Sequence, residues 1–279
     1  MNGATSDRVV LVTGATRGVG RGSARGFARN GGTVAVTGRD EAALADVARE
    51  IEQAGARAIT LRCDHRDDAQ VADAFARLLD QTGRIDILVN NAAQIDPAAL
   101  LAPGGFWEKP LSLSQQIEVG LRSSYVAAWH AAPAMVAAGR GLIANISFYG
   151  AVSYFHGPGY GAAKAGTDKM SHDMALDLAA HDVAVVSVWP GFVLTDMVKA
   201  LPPEMIPDDL KAMLPGFETP EFTGLVIDAL ARDPDLKSLS GKALIGAELG
   251  LRYGIDDIDG KAPPSYRATM GAPAFDLAG

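Results

Sequence analysis

The chain has 279 residues, 21% charged and 48% hydrophobic, with a net charge of −8 and a pI near 5.1. That composition excludes a disordered chain and allows a substantial core, while the acidic balance without a basic run argues against a nucleic-acid partner. The start from Met1 to Arg8 is polar and no apolar stretch reaches the ~18 residues of a membrane span, so no membrane association and a cytoplasmic location are expected.

Val9 to Thr13 is an apolar run ending at Gly14, which suits a strand buried on both faces. Gly18 to Asn30 predicts a helix closed by Gly31-Gly32. Thr33 to Thr37 predicts a second strand, and Asp40 opens a helical pattern through Leu44, Val47 and Ile51 to Gly55. Ala58 to Arg62, Ile85 to Val89, Leu142 to Ile146 and Val183 to Val188 continue the strands, separated by helices near 67–81, 112–138 and 160–180. This alternation predicts an α/β protein: a single-domain Rossmann fold, a doubly wound parallel sheet with helices on both faces. After Trp189-Pro190-Gly191 the pattern changes. The proline-rich insert at about 192–220 carries Met197, Met205, Ile206, Met213, Leu214 and Phe217, and reads either as a substrate lid or as a satellite core under a long loop. Helix returns near Glu221 to Ala231, Lys242 to Ile245 suits a last strand, and an aperiodic C-terminal extension runs from about 252. No repeat or low-complexity linker divides residues 1–279, so one domain is expected.

The turn Thr13-Gly14-Ala15-Thr16-Arg17-Gly18-Val19-Gly20 falls between the first strand and the first helix, where a dinucleotide pyrophosphate meets a helix N-terminus. Gly14 permits the tight turn, Gly18 lets backbone approach phosphate, Gly20 allows close helix packing, and Thr16, Arg17 and Val19 complete the cradle. Arg39 lies 19 residues beyond Gly20, where the adenosine ribose is expected. Gly38 offers no carboxylate there and Arg39 offers a guanidinium fork, so NADP(H) is favoured over NAD(H), with Arg17 placed to reach the same phosphate. Asp40 is either a helix N-cap or an alternative ribose acceptor.

Tyr160 and Lys164 stand four apart, which puts both on one face of a helix and lets the ammonium favour the ionised phenol. Ser147, thirteen residues before Tyr160, supplies a hydroxyl to hold a reacting oxygen, although a register error of one residue would select Phe148 instead. Alone, the Tyr-Lys pair is a weak signal, and its plain reading is a helix-surface contact. Cys63 is the only cysteine, and His65, His130, His156, His172 and His181 are scattered without metal-site spacing, so no metal is expected.

Together and in this order, the motifs resemble the short-chain dehydrogenase/reductase superfamily over residues 7 to about 250. The resemblance implies that Ser147, Tyr160 and Lys164 are catalytic, that Lys164 also holds the nicotinamide ribose, and that Asp64 contacts adenine. It further assigns cofactor contacts to Asn91, Pro190, Gly191, Val193 and Thr195. Phe106-Trp107-Glu108, Val119-Gly120-Leu121-Arg122, Leu239-Ser240-Gly241-Lys242 and Arg252-Tyr253-Gly254 resemble the subgroup typified by dehydrogenase/reductase SDR family member 1. Three departures are Ala93 in place of a glycine, Phe148 where many relatives carry a second hydroxyl residue in tandem with Ser147, and Gly120 where the family's helix asparagine holds a water for proton resupply to the lysine.

The reaction implied is hydride transfer between nicotinamide and a carbonyl or secondary alcohol, with Tyr160 as general acid/base. The crevice at the strand ends is expected to be walled by Ile95, Phe148, Tyr154, Phe155, His156, Phe192 and the insert from Met197 to Phe217, which suits a small apolar substrate. His156 reads either as a substrate-orienting group or as a loop histidine. The resemblance also implies a homodimer or homotetramer formed through the two long helices. The alternative reading is a dinucleotide-sensing module that kept the cradle and lost the chemistry, weakly favoured by Gly120.

Overall fold

A computed structural model of the chain describes residues 7–202, 206 and 208–276. Of the insert, Pro203, Glu204, Met205 and Pro207 lie outside the described residues, as do 1–6 and 277–279 at the ends. The strands are β1 (Val9–Val12), β2 (Thr33–Gly38), β3 (Arg57–Arg62), β4 (Ile87–Asn90), β5 (Gly141–Ile146), β6 (Val183–Trp189) and β7 (Ala243–Ile245). They form one parallel sheet in the order β3-β2-β1-β4-β5-β6-β7.

Every residue of β1 and β6 is buried, as their valine-rich, nearly continuous apolar runs require of strands covered on both faces. On one face pack α1 (Gly18–Ala28), α2 (Glu41–Gln53) and, further along the chain, the helix Pro220–Leu230, which join Phe27, Val47, Ile51, Phe222 and Ile227 to the sheet. The other face carries α3 (Asp68–Thr82), with Phe75 and Leu78 buried against Leu11 and Ile143. Burying one such side chain contributes roughly 1.5–3 kcal/mol. Asp40 accepts from Ala43 N at 3.1 Å and Asp67 from Ala69 N at 3.0 Å, capping α2 and α3.

A short helix, α4 (Pro97–Leu101), follows β4. The single helix expected over 112–138 is three pieces: a 3-10 turn at Leu111–Ser114, a wide turn at Ile117–Arg122 kinked at Val119 and Gly120, and α5 (Ser123–Ala138). A glycine removes the side-chain packing and helix propensity that would carry the helix across this point. Next come α6 (Pro158–Leu178), α7 (Asp196–Lys199), α8 (Asp208–Met213), α9 (the Pro220–Leu230 helix), α10 (Leu236–Leu239), α11 (Gly246–Tyr253) and α12 (Arg267–Met270). The aperiodic extension is ordered by the body it crosses. Ala243 N donates to Phe275 O at 2.6 Å, and Tyr266 is buried in a third cluster with Phe148, Tyr149 and Trp189. No described helix is long and apolar enough to cross a membrane.

Candidate active site

The strand order reverses between β1 and β4, so a crevice opens beyond their carboxyl ends, and the glycine-rich turn lies there. Gly14 has φ +63°, and a Cβ on it would stand 2.7 Å from Ala92 Cα. At Gly20 a Cβ would stand 2.3 Å from Asn91 Nδ2. That nitrogen donates to Thr13 O at 3.0 Å and Gly14 O at 3.1 Å, so Asn91 braces the turn from β4. His65, a residue without a sequence signal, braces it from the other side. Its Nε2 lies 2.7 Å from Thr37 Oγ1, which accepts from Gly14 N at 3.1 Å. Burial pushes His65 down to about 4, so the ring is neutral at neutral pH. Arg17 opens α1 without a side-chain cap, leaving the first helix amides to an anion. A tight glycine turn over uncapped amides fits a dinucleotide pyrophosphate.

Around the expected ribose position, Asp40 is occupied as the α2 cap. A Cβ at Gly38 would stand 2.3 Å from Thr16 Cγ2, so an acidic side chain cannot enter there unless Thr16 moves. Arg17 and Arg39 are exposed, and neither forms an ion pair among the described residues. Asp64 is engaged with Arg66, whose Nε lies 3.0 and 3.1 Å from its two oxygens, and this guanidinium draws the carboxyl down to about 2.

Beyond β6, Gly191 N donates to Glu218 Oε2 at 3.0 Å, while Leu194 N and Glu218 N complete backbone bonds across Val193. Thr195 caps α7 by accepting from Val198 N at 3.3 Å. Glu218, which sequence reasoning missed, is 1% exposed and burial, with Asp257 nearby, pushes it up to about 8.

Tyr160 and Lys164 share one face of α6, with Lys164 Nζ 5.4 Å from the phenol ring centroid. The ammonium donates to Ile146 O at 2.9 Å, and burial pushes it down to about 8, opposed by Asp168 one turn on. The expected lowering of the phenol is not found. Burial among rings holds Tyr160 above its ordinary range, and Lys164 gives its hydrogen bond to a carbonyl. Asp168, also missed, accepts from Ser187 Oγ at 2.6 Å and Trp189 Nε1 at 3.0 Å, and burial raises it.

Ser147 is not brought to the phenol. It is 2% exposed and its hydroxyl donates to Lys164 O at 3.1 Å. Phe148, the next residue, takes the place beside Tyr160 with ring centroids 6.5 Å apart, since successive residues leaving a strand face opposite ways. Phe155 lies 6.1 Å and His156 5.2 Å from the Tyr160 ring, and Phe192 closes the group 5.7 Å from Phe148. Tyr154, expected in this wall, is instead 87% exposed. The extension supplies Tyr266, 4.9 Å from Phe192, and the insert supplies Phe217, stacked on Phe192 at 5.2 Å. Burial, with Lys109 adding repulsion, pushes His156 down to about 4. A Cβ on Gly150 would stand 2.7 Å from Tyr160 Cε1, so only glycine admits the phenol ring here.

The chain matches the short chain dehydrogenase family over residues 8–205. It is 40% identical over 268 residues to dehydrogenase/reductase SDR family member 1 of Mus musculus, covering 93% of this chain and 86% of that protein. The Homo sapiens protein of that name is 39% identical over 275 residues, covering 95% and 87%. Among solved structures, a variant of actinorhodin polyketide ketoreductase with NADPH superposes with a TM-score of 0.75 at 27% identity, covering 87% of this chain and 96% of that one.

Proposed function

Because this chain belongs to the short-chain dehydrogenase/reductase family and is an oxidoreductase, we propose that it transfers a hydride between NADP(H) and a carbonyl or secondary alcohol on a small, largely apolar substrate. The carrying observation is the Tyr160 phenol, set one helical turn from a buried cation in an aromatic pocket. The nicotinamide, when bound, supplies or accepts the hydride. Gly14, Gly18, Gly20 and the first amides of α1 hold its pyrophosphate, with Thr16 and Val19 shaping the cradle. Asn91 holds that cradle in place. Pro190, Gly191, Val193 and Thr195 form the far wall, and Asp64 borders the adenine end. Arg17 and Arg39 take the 2′-phosphate. Their unpaired exposure and the closed space at Gly38 support NADP(H) over NAD(H).

For reduction, Tyr160 gives its hydroxyl proton to the substrate oxygen. A phenol held above its ordinary range keeps that proton until the oxygen becomes basic. Lys164 stands by as the cation that steadies the phenolate left behind. Ser147 ties the end of β5 to the Lys164 backbone and so positions the lysine. His156, neutral and edge-on to Tyr160, donates the second hydrogen bond to the substrate oxygen. Phe148, Phe155, Phe192, Phe217 and Tyr266 exclude water and favour an apolar substrate. Phe192 and Phe217, at the two described ends of the insert, border this pocket and serve as a substrate lid on a single domain. Exposed Tyr125 and Trp129 on α5 and Leu176 on α6 support association of copies through these helices.

Tyr160→Phe tests the reading. NADPH oxidation with a ketone panel falls by roughly 10²–10⁴ while NADPH binding is kept; ketone reduction at the wild-type rate overturns it.

A further inference from the structure

Tyr160, Lys164 and Asp168 occupy successive turns of α6 and form one stripe along it. Proton donation uses the first two and leaves the third without a task. Asp168 is 4% exposed, where α6 lies against β6. Two β6 side chains donate to it, Ser187 Oγ at 2.6 Å and Trp189 Nε1 at 3.0 and 3.2 Å. Burial raises the carboxyl, and these bonds, with Ser147 close by and then the Lys164 charge, draw it back toward ionisation. Donors converging on both oxygens favour the carboxylate, which only accepts.

Lys164 needs such a neighbour, because an ammonium withdrawn from water without a counter-charge gives up its proton. Its hydrogen bond goes to Ile146 O at 2.9 Å, a neutral acceptor. The cavity wall beside it brings Gln94, Ile95, Gln116 and Gly120, none charged. Tyr149, from the 3-10 turn Tyr149–Ala151, is a neutral phenol that accepts from Tyr266 N at 2.9 Å, and burial raises it. Asp168 is thus the one charged group that supports the ammonium among the described residues, against a burial that lowers it to about 8.

We propose that Asp168 is the counter-charge of Lys164, a positioning residue that keeps this side chain an ammonium while the Tyr160 phenolate forms. It rests on the reading of Tyr160 as proton donor, since only then does a phenolate arise beside the lysine. The Tyr160 proton goes to the substrate oxygen, and no proton passes through Asp168. The β6 donors hold the carboxylate in place, so the pairing survives each change of charge on the phenol.

Lysine labelled with 13C at Cε reports the Lys164 charge by NMR without turnover, with Lys164→Arg identifying its signal. Asp168→Asn keeps an oxygen for Ser187 and Trp189 but carries no charge. In that variant the Lys164 midpoint falls by about one pH unit or more; an unchanged midpoint overturns the proposal. With NADPH and a reducible ketone, the loss of kcat/KM at high pH moves down with it. Asp168→Asn then lies within about threefold of wild type at roughly pH 6 and about tenfold below it at roughly pH 9. An equal loss at every pH marks a merely structural role and overturns the proposal. Ser187→Ala removes a bond of the same network and keeps the charge, so a midpoint shifted as far as in Asp168→Asn also overturns it. Should Asp168→Asn fail to fold, the wild type decides: its Asp168 carboxyl carbon must show a carboxylate at roughly pH 7, and a protonated carboxyl overturns the proposal. A wild type inactive on every carbonyl would sink the functional reading, while the Lys164 midpoint would still decide its pairing with Asp168.

Discussion

The Asn91 carboxamide donates to the Gly14 carbonyl at 3.1 Å, with a second bond to Thr13 O at 3.0 Å, so the end of β4 fixes the turn that cradles phosphate. Asn91→Ala leaves two carbonyls without their donor. The expected cost is about 1–3 kcal/mol of stability, with NADPH binding weakened roughly tenfold, the equivalent of ~1.4 kcal/mol. Urea unfolding and fluorescence titration of NADPH measure the two. Wild-type NADPH affinity in Asn91→Ala would show that the brace is unrelated to the cradle.

Cofactor choice turns on Gly38 and Arg39. Arg39→Ala should raise the KM for NADPH about tenfold or more, a loss of ~1.4 kcal/mol or more, and leave NADH use nearly unchanged. Gly38→Asp alone should lower Tm, because its Cβ would meet Thr16 Cγ2 at 2.3 Å. Combined with Thr16→Ala it regains stability and accepts NADH. Equal discrimination by wild type and Arg39→Ala would show that the guanidinium does not select the cofactor.

The direction of Ser147 separates it from His156. Ser147→Ala removes one hydrogen bond to Lys164 O, costs about 0.5–1.5 kcal/mol of stability and lowers kcat by less than tenfold. His156→Ala removes a donor beside the phenol and lowers kcat/KM roughly 10²-fold, as for loss of one oxyanion donor. The reverse ranking in steady-state assays would restore Ser147 to the substrate.

Glu218 gives stability a pH dependence of definite sign. Folded, its carboxyl holds a proton up to about 8; unfolded, it releases it near 4.5. The folded state therefore binds the extra proton between these values, and the stabilisation, full below pH 4.5, is lost as pH rises through 8. Glu218→Gln keeps an oxygen to accept from Gly191 N, places an amide nitrogen that can donate to Thr223 Oγ1, and cannot ionise. Its Tm should change less than that of wild type between roughly pH 5.5 and 8.5, across the titration. Parallel melting curves for the two proteins across that range would exclude Glu218 as the source.

Much of this architecture is legible in the residues because it is governed by local rules. Alternating apolar runs give the parallel sheet, and the glycine turn after β1 is carried by spacing alone. Tyr160 and Lys164 share a face because helical geometry fixes residues four apart. Contacts between distant segments follow no such period. Glu218 reaching Gly191, Asp168 receiving Trp189, and Tyr266 entering the aromatic pocket each join residues set by packing, not by order along the chain. The thirteen-residue spacing of Ser147 and Tyr160 could not say which way the hydroxyl turns, since one residue of register exchanges the two sides of a strand end. The sequence by itself thus determined the family, the sheet and the Tyr160–Lys164 face. Only the tertiary structure decided that Ser147 faces Lys164, that Phe148 and His156 flank the phenol, and that Gln116 borders the space beside Gly120, because each depends on which surfaces meet once the core has closed.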